Sequence, residues 1–200
     1  MEGIIYRGNM DIKTEKRMIA RHINDLVGGI PEFSRYDDRN NISAIHIMTI
    51  QDASDDGVNI YSTVGVSSYS IGLSVDKVPL RVELMFVCDK MKKEIPCILS
   101  TCAFCIINSH YECFPGVIFY DVIGAFIDDS DMKHVMFVKP FLWEEYQGMV
   151  LEDKRVEWLL AVPVSEAEAK YAEEYGSDAL DDLFEKSDID IFDLYRESLK

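Results

Sequence analysis

Residues 95–110 carry no Asp, Glu, Lys or Arg beyond position 94. Pro96 suits the first turn of a helix, and Ile98, Leu99, Ala103, Phe104, Ile106 and Ile107 then spread apolar side chains around every side of it. A helix that is apolar nearly all round has no face to give to water and must be covered. The run is shorter than the roughly 20 apolar residues that a bilayer-spanning helix needs, so no membrane is expected and the cover has to come from the chain itself. A layered domain is expected, with another element type packed on this helix. Hydrophobic residues make up 48% of the 200, enough for one core in one domain over residues 1–200.

Strands supply the cover. Residues 41–50, 58–66, 80–87, 117–122, 133–138 and 155–162 are rich in Val, Ile, Phe and Tyr between turn signals and read as six strands. In the third, Arg81 and Glu83 alternate with Val82 and Leu84, the pattern of a strand with one wet face. Helices are expected over residues 14–26, stopped by Gly28-Gly29, and from a Ser165/Glu168 capping box to about Gly176. Two short amphipathic pieces come after it, one led by Ser177 and one by Ser187. Residues 31–41 are polar and turn-rich, and read as a loop. The links between the second and third strands, and between the fifth and sixth, are too short or too polar for helical crossovers. The expected fold class is therefore α+β, a mixed, largely antiparallel sheet of about six strands packed with three to five helices.

Charge narrows the function. The net charge is −16, which repels phosphate backbones and argues against direct nucleic-acid binding. Residues 144–200 hold 17 acidic and 6 basic side chains, so the acidity is concentrated there. Residues 177–200 read as an acidic helical C-terminal extension in which Leu180, Leu183, Phe184, Ile191 and Phe192 dock one face and the carboxylates show on the other. Asp178, Asp181, Asp182, Glu185, Asp188 and Asp190 are the candidate binding residues, with a basic protein as the partner. The competing readings are a solvated face that keeps the protein soluble, and first-turn carboxylates that favour the helix through its dipole.

Catalytic chemistry leaves no trace. The Cys102-x2-Cys105-x4-His110-x2-Cys113 spacing approaches that of a zinc site. Its intervening residues are core-like and include no glycine, so buried thiols on the apolar helix are the stronger reading. Gly65-Val66-Ser67 lacks the second glycine of a nucleophile elbow, and no phosphate loop or His-Glu-x-x-His occurs. The four histidines sit apart on apolar runs, where packing roles are expected. Five cysteines and no secretory segment point to a reducing, cytoplasmic setting. No catalytic residue and no cofactor are expected.

Several blocks in consistent order resemble the suppressor-of-fused domain, in the version found as small bacterial proteins. They are Tyr61-Ser-Thr-Val-Gly-Val-Ser67, Leu80-Arg-Val-Glu-Leu-Met-Phe86, Phe114-Pro-Gly-Val-Ile118, Met132-Lys-His-Val-Met-Phe-Val-Lys-Pro140 and Val156-Glu-Trp-Leu-Leu-Ala-Val-Pro163. The Glu166-Ala-Glu168 to Leu183 segment completes a match over about residues 14–186. The most distinctive block is a strand ending Thr-x-Gly followed by an Arg-x-Glu-Leu strand. The resemblance implies an α/β sandwich without catalytic residues. Bacterial members resemble immunity proteins, antitoxins of polymorphic toxin systems, usually paired with nuclease-type toxins, and eukaryotic relatives sequester a transcription factor. The resemblance carries no contact residue across by position, so the contact surface rests on charge. The function expected is a protein-binding immunity protein that neutralises a cognate toxin, as a monomer or weak homodimer. The alternatives are an adaptor without a toxin partner and a zinc module on the cysteine cluster.

Overall fold

The computed structural model describes residues 11–53, 57–89 and 91–200. Helix α1 (Ile12–Val27) starts where the Asp11 carboxylate accepts the Lys13 and Thr14 amides, and stops at Gly28 with φ 74°. Strands β1 (Pro31–Asp37), β2 (Ala44–Ala53) and β3 (Val58–Val64) lead into one 3-10 turn, Val66–Ser68. Then come β4 (Ser74–Val75), β5 (Val78–Cys88), α2 (Ile95–Ser109), β6 (Ile118–Phe119), β7 (Met132–Val138), β8 (Met149–Val150) and β9 (Arg155–Ser165). Two helices close the described chain, α3 (Glu166–Tyr175) and α4 (Ser177–Glu185).

The strands form one sheet in the order β1-β2-β3-β5-β9-β7-β6, with β4 added beside β5 and β8 beside β9. Only β5 and β9 run parallel among the described strands, and the other pairings are antiparallel. This is the mixed, largely antiparallel α+β architecture that the strand and linker pattern predicts. Because strand side chains alternate between faces, the sheet separates two cores. Ile45, Leu84, Phe86, Phe137 and Leu159 face α2, which buries Ile98, Leu99, Cys102, Ala103 and Ile106 against them. Met48, Ile60, Met85, Trp158 and Leu160 face the opposite layer, formed by α1, α3, α4 and much of the C-terminal tail. The largely apolar helix thus lies in its own layer, with Ile98, Leu99, Cys102, Ala103 and Ile106 fully covered and Cys97, Thr101, Phe104 and Cys105 half-buried on its outer side.

Several local expectations give way to tertiary context. Residues 31–41 begin with a strand rather than a loop. β1 pairs with β2 over its whole length, from Pro31↔Ile50 to Asp37↔Ala44. Five of its seven residues are exposed. Its polar composition is that of an edge strand, with Pro31 at its first position and an Arg35–Asp37 ion pair on it. Residues 117–122 supply only a two-residue strand. The Asp121 amide donates to His134 Nδ1 at 2.9 Å instead of continuing a ladder, and Asp121 takes φ 57°. The second tail helix is absent too. Ser187 Oγ donates back to the Leu183 carbonyl, and the Asp190 and Asp193 carboxylates accept the Phe192 and Tyr195 amides. Such Asx turns compete with helix by satisfying the backbone locally.

Glu83 departs furthest from its expected place. It does not face water: it is fully buried and accepts five hydrogen bonds. The donors are Thr63 Oγ1 and Ser67 Oγ, both at 2.6 Å, and the Gly65, Val66 and Ser67 amides at 2.9, 3.3 and 3.1 Å. Thr63 Oγ1 in turn accepts the Leu84 amide at 2.8 Å. The Thr-x-Gly and Arg-x-Glu-Leu blocks are therefore one assembly, in which the carboxylate holds the turn after β3. Gly65 sits at φ 122°, a conformation that favours glycine, so that this turn can close.

Candidate partner-binding site

Helix α4 is positioned by its two ends and its apolar stripe. Gly176, at φ 94°, is its N-cap and turns the chain out of α3. Ser177 is the first helical residue and makes no capping bond, so the expected serine cap is replaced by glycine geometry. Leu180 and Phe184 are buried in the core on the α1 side of the sheet. Asp178, Asp181 and Glu185, spaced three and four apart, then fall on the side beside that stripe. They line a cavity of about 610 Å³ whose apolar wall includes Val138, Phe141, Val162, Ile189 and Ile191, with Lys139 as a basic residue in the same lining.

The six carboxylates singled out by sequence do not form one surface. Asp178, Asp181 and Glu185 share the groove. Asp182 is exposed and pairs with Lys186 at 3.3 Å one turn on. Asp188 is exposed. Asp190 belongs to a second hollow of about 380 Å³, with Asp89, Val58, Cys88 and Trp143. Asp181 is half-buried, and burial, then Asp178, Glu185 and Asp182, push its carboxyl above the ordinary aspartate value. The groove therefore holds concentrated negative charge at a site where a cation would relieve repulsion.

A buried latch holds the far wall of the groove. Arg196 donates from Nη1 and Nη2 to the two carboxylate oxygens of Glu168 at 2.6 and 2.7 Å, and from Nη2 to the Pro163 carbonyl at 2.9 Å. Glu168 is the N3 residue of the α3 capping box, and its Oε2 also accepts the Ser165 amide at 3.0 Å. Burial raises its pKa, but hydrogen bonds from Arg196, Leu199 and Ser165 outweigh that and leave the carboxyl below its usual range. The Arg196 guanidinium lies 5.2 Å from the Phe184 ring centroid. Phe192 stacks on Phe141, and the Ser130 hydroxyl donates to the Leu194 carbonyl. The tail segment bearing Ile189 and Ile191 is thus strapped across α3, α4 and the loop after β7. The floor residues Val138, Phe141 and Val162 were not legible as site residues, since each reads as ordinary strand or loop. An aromatic directly after Pro140 was the one weak signal.

The cysteine cluster does not assemble. Among the described residues, no three His, Cys, Asp or Glu side chains come together as a metal site. Cys102 and Cys113 are buried, whereas His110 is exposed at the left-handed end of α2. None of the five cysteines is in a disulfide. Burial pushes the thiols of Cys102, Cys105 and Cys113 up, away from the thiolate form that metals and electrophiles need. Two of the histidines have packing partners of their own: His22 stacks on Trp158, and His134 bridges the Asp121 amide and Glu166 Oε2. No described helix is long and apolar enough to cross a membrane.

A mixed sheet between two helical layers, with an acidic, apolar-floored groove beside the last helix, defines an α+β sandwich. Comparison with known proteins places it more closely. The chain belongs to the suppressor of fused family, whose model matches residues 41–197. It is 44% identical over 191 residues to immunity protein YqcF of Bacillus subtilis (strain 168), across 95% of this chain and all of that protein. Among solved structures it is similar to a suppressor of fused homolog from Neisseria gonorrhoeae (TM-score 0.68, 14% identity), covering 92% of this chain and 96% of that one. Drosophila suppressor of fused matches with a TM-score of 0.62 at 12% identity, over 90% of this chain and 50% of that longer one. The Sufu–Fu complex is similar at the same TM-score, over 92% of this chain and 91% of that one. At such low identities these structural likenesses speak for the fold.

Proposed function

We propose that this chain is a bacterial immunity protein that neutralises a cognate toxin by binding it, with no chemistry of its own, and that the groove beside α4 is the contact surface. The observation that carries the proposal is the convergence of Asp178, Asp181 and Glu185 over an apolar floor. A nuclease-type toxin is cationic where it holds its substrate. An acidic surface with an apolar floor suits such a face in two ways: charge steers the encounter, and the floor buries the hydrocarbon stems of the incoming Lys and Arg side chains. The 44% identity to an immunity protein supports the role. The acidic groove supports the basic, nuclease-type partner.

The test uses the cognate toxin, purified with and without this protein. Replacing Asp178, Asp181 and Glu185 together by Lys should slow association by about tenfold or more at low salt and abolish protection of cells. The loss should shrink as salt rises. Affinity unchanged by the substitutions across the salt series would remove the groove from the contact surface. A cognate toxin whose activity persists in a saturated complex would overturn neutralisation by binding.

A further inference from the structure

Helix α1 reverses the charge of the chain. Lys13, Arg17 and Arg21 recur every fourth residue along its exposed side, and Lys16 lies alongside. Between α1 and the sheet edge runs an open groove of about 520 Å³, lined by the apolar Ile12, Ala20, Phe33 and Val64 together with Lys13, Lys16, Arg17 and His46. Phe33 is 50% exposed and Ile12 66%, so these two lining side chains are uncovered, whereas Val64 is buried beneath them. Burial, then the nearby Lys16 and Arg35, hold the His46 pKa down, in keeping with a locally positive field. A cationic, apolar trough on a molecule of net charge −16 fits a partner that is acidic and partly apolar.

The chain itself contains such a partner. Helix α4 shows Asp178, Asp182 and Glu185 to solvent, next to the exposed ring of Tyr175 at the α3–α4 corner. The side chains that α1 and α4 bury belong to the same core, so both helices lie on one face of the sheet. A two-fold axis lying parallel to that face, between the two helices, turns the faces toward each other, sets α1 of one copy against α4 of the other and makes the reverse contact at the same time. An interface of this kind is self-complementary and closes at two subunits. We propose that this helical face is a self-association surface, in which the basic α1 groove of each copy receives the acidic α4 of a second copy. Where α4 also meets a basic toxin, as proposed above, the second copy and the toxin compete for the same carboxylates; that competition rests on the functional reading, and the dimer does not.

The test needs no toxin, so its failure leaves the toxin reading untouched. The full chain is examined by analytical ultracentrifugation at about 50 μM protein in about 100 mM salt. There a screening length of about 10 Å damps repulsion between two acidic bodies but spares charges in contact. A dimer is expected, with association weaker by about tenfold at about 500 mM salt. Two folded variants decide the surface, one carrying Lys13→Glu, Lys16→Glu and Arg17→Glu, the other Asp178→Lys, Asp182→Lys and Glu185→Lys. Each alone should be monomeric, and their equimolar mixture should form a heterodimer, because both helices of the first variant are acidic and both of the second basic. Three results overturn the proposal: a wild-type monomer at this concentration, a wild-type dimer indifferent to both substitutions, or folded variants that fail to pair when mixed. A monomer that binds a Glu-rich peptide through α1 would assign the groove to a foreign acidic segment instead.

Discussion

At the scale of single residues, two buried carboxylates do opposite things with proton binding. Glu83 has only hydrogen-bond donors around it, and burial still pushes its pKa above the ordinary glutamate value. Glu168 faces Arg196, and its pKa is held below that value. A carboxyl with a lowered folded-state pKa stabilises the fold above the unfolded value and loses that contribution as pH falls through the folded one. Wild-type protein should therefore lose stability relative to Glu168→Gln as pH drops below about 4. Urea unfolding of both at pH 7 and at acid pH checks this, and a difference independent of pH would rule out the linkage. Glu83→Ala strands five donors without an acceptor. With unsatisfied buried groups costing about 1–3 kcal/mol each and relaxation relieving some, a loss of about 3 kcal/mol or more is expected in urea unfolding. A loss below about 1 kcal/mol would mean that the turn holds without its carboxylate.

At the scale of elements, the tail after α4 is a strap whose hold is chemical rather than helical. Arg196→Ala leaves Glu168 buried and uncompensated, a change that typically costs about 3–5 kcal/mol. Hydrogen exchange should then rise across residues 187–200 while α2, on the far side of the sheet, keeps its protection. Uniform loosening of both layers would show that the strap is not a separable unit. The start of α4 offers a second test. Gly116 lies at φ 91°, and a Cβ there would meet Ser177 Oγ at 2.5 Å. Gly116→Ala should destabilise by about 1–2 kcal/mol and shift α4, whereas Gly72→Ala, with nothing near its Cβ, reports the cost of the backbone conformation alone. Equal costs at the two positions would remove the close packing of that loop on α4. The groove also carries a pH signature. With the Asp181 carboxyl raised, a cationic partner should bind more weakly as pH falls from neutral toward about 4, and Asp181→Asn should flatten that slope in a titration series.

At the scale of the whole molecule, one sheet serves both cores, so neither helical layer has a fold without it. Residues 177–200 reinforce this, since Leu194 of the tail is buried with the α2-side core while Phe184 of α4 is buried on the other side. We propose that the chain is a single cooperative domain in which residues 177–200 are part of the fold. Thermal unfolding followed by far-UV circular dichroism and by tryptophan fluorescence should give coincident transitions, with Trp158 reporting the α1-side core. Two resolved transitions would divide the molecule. Deletion of residues 187–200 should lower the midpoint by several degrees, because it removes Arg196 and Leu194 together.

Sequence by itself determined the features that depend on near neighbours. The Ser165/Glu168 capping box, the Gly28 stop, the buried α2 and most of the length of the expected strands come from spacing and local hydrogen-bond chemistry. It also marked α4 as acidic. Tertiary structure decided the features that depend on residues far along the chain. β1 is a strand because β2 lies beside it. Glu83 is buried because the turn at Gly65–Ser67 folds onto it from 16 to 18 residues away. Asp178, Asp181 and Glu185 share one groove, while Asp188 lies outside it and Asp190 lines a separate hollow, because Arg196 finds Glu168 and draws the tail across. Periodicity says which side of an element is apolar. Only the packing of distant elements says what that side meets, and so which of its charges face a shared hollow.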